Sequence, residues 1–268
     1  MVSSRPVRPR TRAGRLAALD AWVTTQARAL LDGRGAVVDV GFGLTPVTTL
    51  ELALAVRGVT PALRVIGVER EAHEAPGLEL LVGDFGTCAT LGPTAVVRAM
   101  NVLRGYREDE VAAIHEALGA AVIDGGLVIE GSTDTGGCVT AAWLLRKRGG
   151  ALHREALLLH TDFSRGFSPW LFRDWLPRDL RRRAHVGTAV HTLLADWELR
   201  ARGTGATEPK ARFLESLGPP LSATAWEREH GFVRWPVGEA SGRDAIGAEH
   251  SGQPIDEHAL ADQLEADL

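Results

Sequence analysis

Three carboxylates, two glycines, an asparagine and a histidine are the residues of this chain whose types and spacing could do chemistry together. Asp39, Gly41 and Gly43 fall within residues 36–45, an apolar run that ends on an acid, passes through both glycines and reaches Thr45-Pro46. Glycines at such a point give a sharp strand-to-helix turn and let a ligand approach bare backbone N–H groups. Glu69 closes the next apolar run, residues 64–69, and Asp84 closes the one after it, with Phe85 alongside. Acids at strand ends can accept hydrogen bonds from a ligand's hydroxyl or amino groups, and a ring beside one can pack on a flat heterocycle. Asn101 ends a fourth run; its amide can hold a ligand group or bond its own backbone. Further along stand Asp134, His160 and Asp162. Imidazole titrates near neutrality, so His160 is the candidate general base.

These residues need a scaffold that brings strand ends together. Apolar runs at 36–40, 64–69, 78–84, 95–101, 127–131, 154–160 and 232–235 read as strands. Helical spacing recurs at 15–31, after Pro46, at 107–122, 138–148, 188–201 and 224–230. Thr45 reads as the N-cap of the second helix and Pro46 as its first residue. Strands alternating with helices imply a parallel sheet covered on both faces. Residues 163–222 break that alternation and read as a mostly helical insertion before the last strand. Phe163, Phe167, Trp170, Phe172 and Trp175 are interleaved there with Arg165, Arg173, Arg178 and Arg181–Arg183. The expected reading is an apolar underside beneath a wet arginine face, and the alternative is a surface for nucleic acid; either way the insertion is expected to roof the substrate pocket.

The acid followed by Gly41-x-Gly43 resembles the first motif of class I S-adenosylmethionine-dependent methyltransferases, with Thr45 where a third glycine would fall. The Gly-x-Gly-x-x-Gly turn of nicotinamide enzymes would need a glycine at position 46, which is Pro46. The methyltransferase resemblance covers about 15–160 and 223–236. It implies a Rossmann-like α/β fold: seven strands, mostly parallel, the last antiparallel, helices on both faces. It also implies S-adenosylmethionine as cofactor. Asp39, Gly41, Gly43 and Thr45 would serve its methionine end, Glu69 its ribose diol, and Asp84 and Phe85 its adenine. Asn101 would face cofactor and acceptor both. Residues 101–104 do not match the Asn/Asp-Pro-Pro-Tyr pattern of methyltransferases acting on nucleobases or glutamine. A chain that binds the cofactor without turning it over is the rival class.

Composition bounds the partners. The chain has 268 residues and a net charge of −4, so the whole molecule does not advertise nucleic-acid binding. A small-molecule acceptor is therefore expected first, with RNA or protein as the alternative favoured by the basic start and the arginine-rich insertion. Residues 1–14 read as a disordered basic arm, 15–237 as the methyltransferase-like domain, and 238–268 as a flexible acidic tail. Two cysteines, Cys88 and Cys138, and scattered histidines suggest no metal site and a reducing, cytoplasmic setting. No apolar stretch is long enough to imply a membrane span.

Overall fold

The strands within residues 36–133 pair in parallel, and every pairing beyond them is antiparallel. A computed structural model describes residues 12–237. Its strands are β1 Ala36–Val40, β2 Val65–Glu69, β3 Glu79–Val82, β4 Thr94–Met100, β5 Val122–Thr133, β6 Val139–Arg148, β7 Ala151–Thr161 and β8 Phe232–Pro236. They form one sheet in the order β3-β2-β1-β4-β5-β6-β7-β8. The chain runs outward from β1 through β2 to β3, then returns to place β4 on the other side of β1. That reversal leaves a crevice beyond the carboxyl ends of β1 and β4, where open α/β sheets bind ligands.

Helices cover both faces. On one side lie α1 (Ala17–Gln26), α2 (Val47–Val59) and the short α7 (Ala225–Glu229). Their core holds Trp22, Leu52 and Val56 against Val37, Val65 and Leu127. On the other side lie α3 (Val111–Leu118), α4 (Arg178–Arg181), α5 (Ala189–Gly203) and α6 (Pro209–Ser216). There Val38, Val40, Ile66 and Trp143 pack with Ile114, Leu118 and Trp197. Alternate residues of β1 thus feed opposite cores, as a pleated strand requires.

The sheet has eight strands, not the seven expected. The difference is 138–148, expected as a helix and found as β6, the middle of an antiparallel β5–β6–β7 meander. Val139–Leu145 is buried on both faces, so the run carries no alternation. An unbroken apolar run reads alike for a buried strand and a buried helix. The deciding signals are the flanking glycines. Gly149 and Gly150 take φ of 57° and 84°, the two positive angles a type I′ hairpin turn demands. Of the helix expected over 107–122, Glu108–Glu110 is a 3-10 turn, α3 ends at the Gly119 cap, and Val122 already belongs to β5.

Between β7 and β8 the chain forms a 3-10 segment, Pro169–Trp175, followed by α4, α5 and α6. Its aromatics pack inward: Phe172 stacks on Trp197 at 5.7 Å, and Phe167 meets Phe213 edge-on at 5.3 Å. The basic arm through residue 11 and the acidic tail from 238 lie outside the described residues, whereas Gly14 donates its N–H to Glu51 at 2.7 Å. Among the described residues no helix is long and apolar enough to cross a membrane.

Candidate functional site

The crevice holds a cleft of about 430 Å³ between the glycine turn, the end of β2 and the segment after β4. Gly41 and Gly43 line it with φ of 74° and 90°, left-handed values that disfavour a side chain. A Cβ on Gly41 would also come within 2.6 Å of Val102, on the facing loop. The turn is tied to its neighbours: Gly41 N–H donates to the Val68 carbonyl, and Gly43 N–H donates to Glu69 Oε2, each at 2.8 Å. Glu69 Oε1 accepts from Arg70 N–H at 2.8 Å. A carboxylate fed by two backbone donors is fixed in direction while it lines the cleft.

Asp84 and Phe85 form the next part of the wall. Asp84 caps the 3-10 turn Phe85–Thr90: its carboxylate accepts from Gly86 N–H at 2.9 Å, and its own N–H donates to Thr87 Oγ1. Phe85 meets Tyr106 edge-on at 5.4 Å, and the Tyr106 hydroxyl bonds Arg70. Tyr106 and Arg70, which sequence reasoning missed, therefore complete this wall.

Asn101 sits at the floor with φ 62°, a conformation most non-glycine residues avoid. Its N–H donates to the Gly131 carbonyl at 2.7 Å and its Oδ1 accepts from Thr133 N–H at 3.1 Å. The amide Nδ2 is buried and has no partner. An unpaired buried donor costs about 1–3 kcal/mol, and this one belongs to a residue that lines the cleft. Arg15, also missed, lines the same cleft, and its Nε is likewise buried without a partner. Burial first, then the Arg98 charge, pulls its guanidinium below the ordinary value.

Asp39 does not line the cleft. Arg98, fully buried on β4, holds it through two bonds of 2.9 Å and donates to the Thr48 carbonyl at 2.8 Å. Thr49 Oγ1 donates to the second Asp39 oxygen at 2.8 Å. Asp20 of α1 pairs with the same guanidinium. The acid before the glycine turn is thus an internal anchor linking β1, β4, α1 and α2. Burial pushes the Asp20 carboxyl up to about 7, against the pull of Arg98, whose charge Asp39 already matches.

Thr45 also lies outside the cleft: it is exposed, and Pro46 rather than Thr45 occupies the N-cap position of α2, without a side-chain cap. His160 belongs to β7, three strands from β4. At about 4.8 Å per strand that is roughly 14 Å from the floor. It is buried against Phe232 at 4.3 Å and lines a second, separate depression; burial lowers its pKa to about 4. Asp134 is held by Cys138 N–H at 2.7 Å and by Arg165, and Asp162 by Ser164. The insertion does not roof the cleft; it braces the wall, with Arg178 donating to the Tyr106 carbonyl at 2.6 Å and Arg183 pairing with Glu108. Among the described residues no group of three or more His, Cys, Asp or Glu could hold a metal ion.

No family model and no curated protein matches the sequence. Among solved structures the chain is similar to a putative protein-L-isoaspartate O-methyltransferase from Plasmodium falciparum in complex with S-adenosyl-L-homocysteine. That match has 15% identity and a TM-score of 0.34, over 51% of this chain and 68% of that one. It is also similar to magnesium protoporphyrin IX methyltransferase from Synechocystis PCC 6803. With bound SAM, that structure matches at 16% identity and TM-score 0.33, over 52% of this chain and 74% of that one. With bound SAH, the match is 19% and 0.31, and the chain spans about half, 53%, of its length. The class the described residues define is an open, Rossmann-like α/β sheet with a cleft at its switch point.

Proposed function

We propose that this chain is an S-adenosylmethionine-dependent methyltransferase acting on a small-molecule acceptor. The observation that carries the reading is the Glu69 carboxylate, held at 2.8 Å by the glycine turn in the lining of a cleft at the switch point. The residues present fit the cofactor. Glu69 would accept from its ribose hydroxyls, and Asp84 with Phe85 would receive the adenine. Asn101 Nδ2 and Arg15 offer donors to its amino-acid end, which is where the chain leaves buried donors unpaired. A side chain at Gly41 would push Val102 and narrow the space for the ligand.

When bound, the cofactor supplies an electrophilic methyl group on a sulfonium. The chain's own work is then positioning: a fixed acid, a fixed floor and a wall braced by the insertion. His160 is too far from the floor to act as base, and a base is needed only if the accepting atom carries a proton. RNA as acceptor is favoured by one observation, the exposure of Arg181, Arg182 and Arg183. Calorimetry with S-adenosylmethionine and S-adenosylhomocysteine, followed by a search of a small-molecule extract for methyl incorporation, tests the reading. Absence of binding would end it; binding without incorporation would leave a non-catalytic cofactor-binding protein.

A further inference from the structure

His160 has no place in the cleft, but it lines a second cavity of about 340 Å³ where β7 ends and β8 begins. That volume falls in the range of small-molecule sites, roughly 300–1,000 Å³. α1 closes one side of the cavity through Ala18 and Ala21, and α7 closes another through Trp226. The imidazole is 4% exposed, and its Nδ1 is buried without a hydrogen-bond partner. A buried ring with an unmet nitrogen is a worse core residue than phenylalanine or leucine, so packing alone does not account for it.

The wall beside it is aromatic. Phe232 packs on the imidazole at 4.3 Å and on Trp226 at 5.8 Å, and Phe163 lines the same cavity. Phe163 takes φ 64°; it and Asn101 are the two non-glycine residues in the left-handed region among the described residues. Strained backbone of this kind gathers at ligand sites, and here each of the two residues lines a cavity. The rim carries Asp162 and Glu229 together with Lys210, so a singly charged ligand meets a like charge there whichever sign it bears. Burial holds the imidazole neutral, with one donor nitrogen and one acceptor nitrogen. A hydroxyl group can serve either, because it both donates and accepts.

We propose that this cavity binds a small neutral phenol, its ring against Phe163, Trp226 and Phe232 and its hydroxyl bonded to the His160 imidazole. The site does not rest on the cofactor reading. β7 lies three strands from β4, so a molecule of this size cannot occupy both cavities at once.

The test is ligand-observed NMR on the full chain, titrated with p-cresol and in parallel with toluene, benzoate and benzylamine. The expected result is saturable p-cresol binding, at least tenfold tighter than that of the other three and not displaced by saturating S-adenosylhomocysteine. His160→Leu keeps an apolar side chain of similar size and should weaken p-cresol tenfold or more. Ala21 is exposed on α1, so Ala21→Trp fills the cavity from outside the core and should abolish binding even where His160→Leu folds poorly. Glu69→Ala should leave p-cresol affinity unchanged within twofold, which separates this cavity from the cleft. If S-adenosylhomocysteine does not bind at all, the cofactor reading fails and the phenol site still stands on the His160 and Ala21 variants. No saturable p-cresol binding, affinity no better than toluene's, preference for benzoate or benzylamine, displacement by S-adenosylhomocysteine, or indifference to both substitutions would overturn the proposal.

Discussion

Arg98 grips Asp39 through both carboxylate oxygens, Nε to Oδ1 and Nη2 to Oδ2, at 2.9 Å each. The pair lies in the centre of the sheet, one residue before the strand gives way to the glycine turn. Its function is indirect: it fixes the end of β1 from which Gly41 and Gly43 emerge.

Removing one partner of such a buried pair strands the other charge. Arg98→Met leaves Asp39 and Asp20 without their shared cation and is expected to cost about 3–5 kcal/mol of stability. Urea unfolding measures it. A loss under about 1 kcal/mol would mean that the network is not held as described.

Asp20 makes stability depend on pH in an unusual direction. Its folded pKa is raised to about 7 from 3.8, so between those values the folded state holds a proton that the unfolded state has released. Stability from this group is therefore full below about pH 4 and is lost as pH rises towards 7. Asp20→Asn should flatten that part of the pH–stability curve and be more stable than the parent at pH 8. An unchanged slope would show that Asp20 ionises normally.

At Asn101 the backbone and the amide can be tested separately. Asn101→Gly keeps the left-handed φ without strain but removes Nδ2 and Oδ1. Loss of the Oδ1 bond to Thr133 N–H should cost about 0.5–1.5 kcal/mol of fold stability, while S-adenosylhomocysteine affinity falls by about 1–2 kcal/mol, roughly 5- to 30-fold. Equal affinity would remove the amide from the site.

His160→Phe should leave cofactor affinity and its pH dependence untouched, because the imidazole lines a different depression and burial keeps it neutral through the range pH 5–8. A large effect on binding would place His160 back in the site.

Much of this was legible from strand ends. An apolar run closing on an acid located β1, β2 and β3, and the two glycines located the turn. What the residues do at those ends was less legible, since a side chain's partner depends on packing across the sheet. Asp39 and Glu69 look alike in sequence, yet one turns into the core and the other lines the cleft. A signal was available: Arg98 lies inside a run expected to be buried on both faces, and a buried cation demands a buried acid. Arg15 and Tyr106 carried no such signal; they reach the cleft through tertiary placement. β6 was missed because continuous burial erases periodicity.

The proposed function stands or falls on whether Glu69 accepts from a cofactor's diol in the cleft. Calorimetry of S-adenosylmethionine binding to the full chain and to Glu69→Ala tests it most directly. Saturable binding to the parent is expected, with a loss of about 1.5–3 kcal/mol, some 10- to 150-fold, in a variant that remains folded. Binding unchanged within a few tenths of a kcal/mol, or none to the parent, would contradict it.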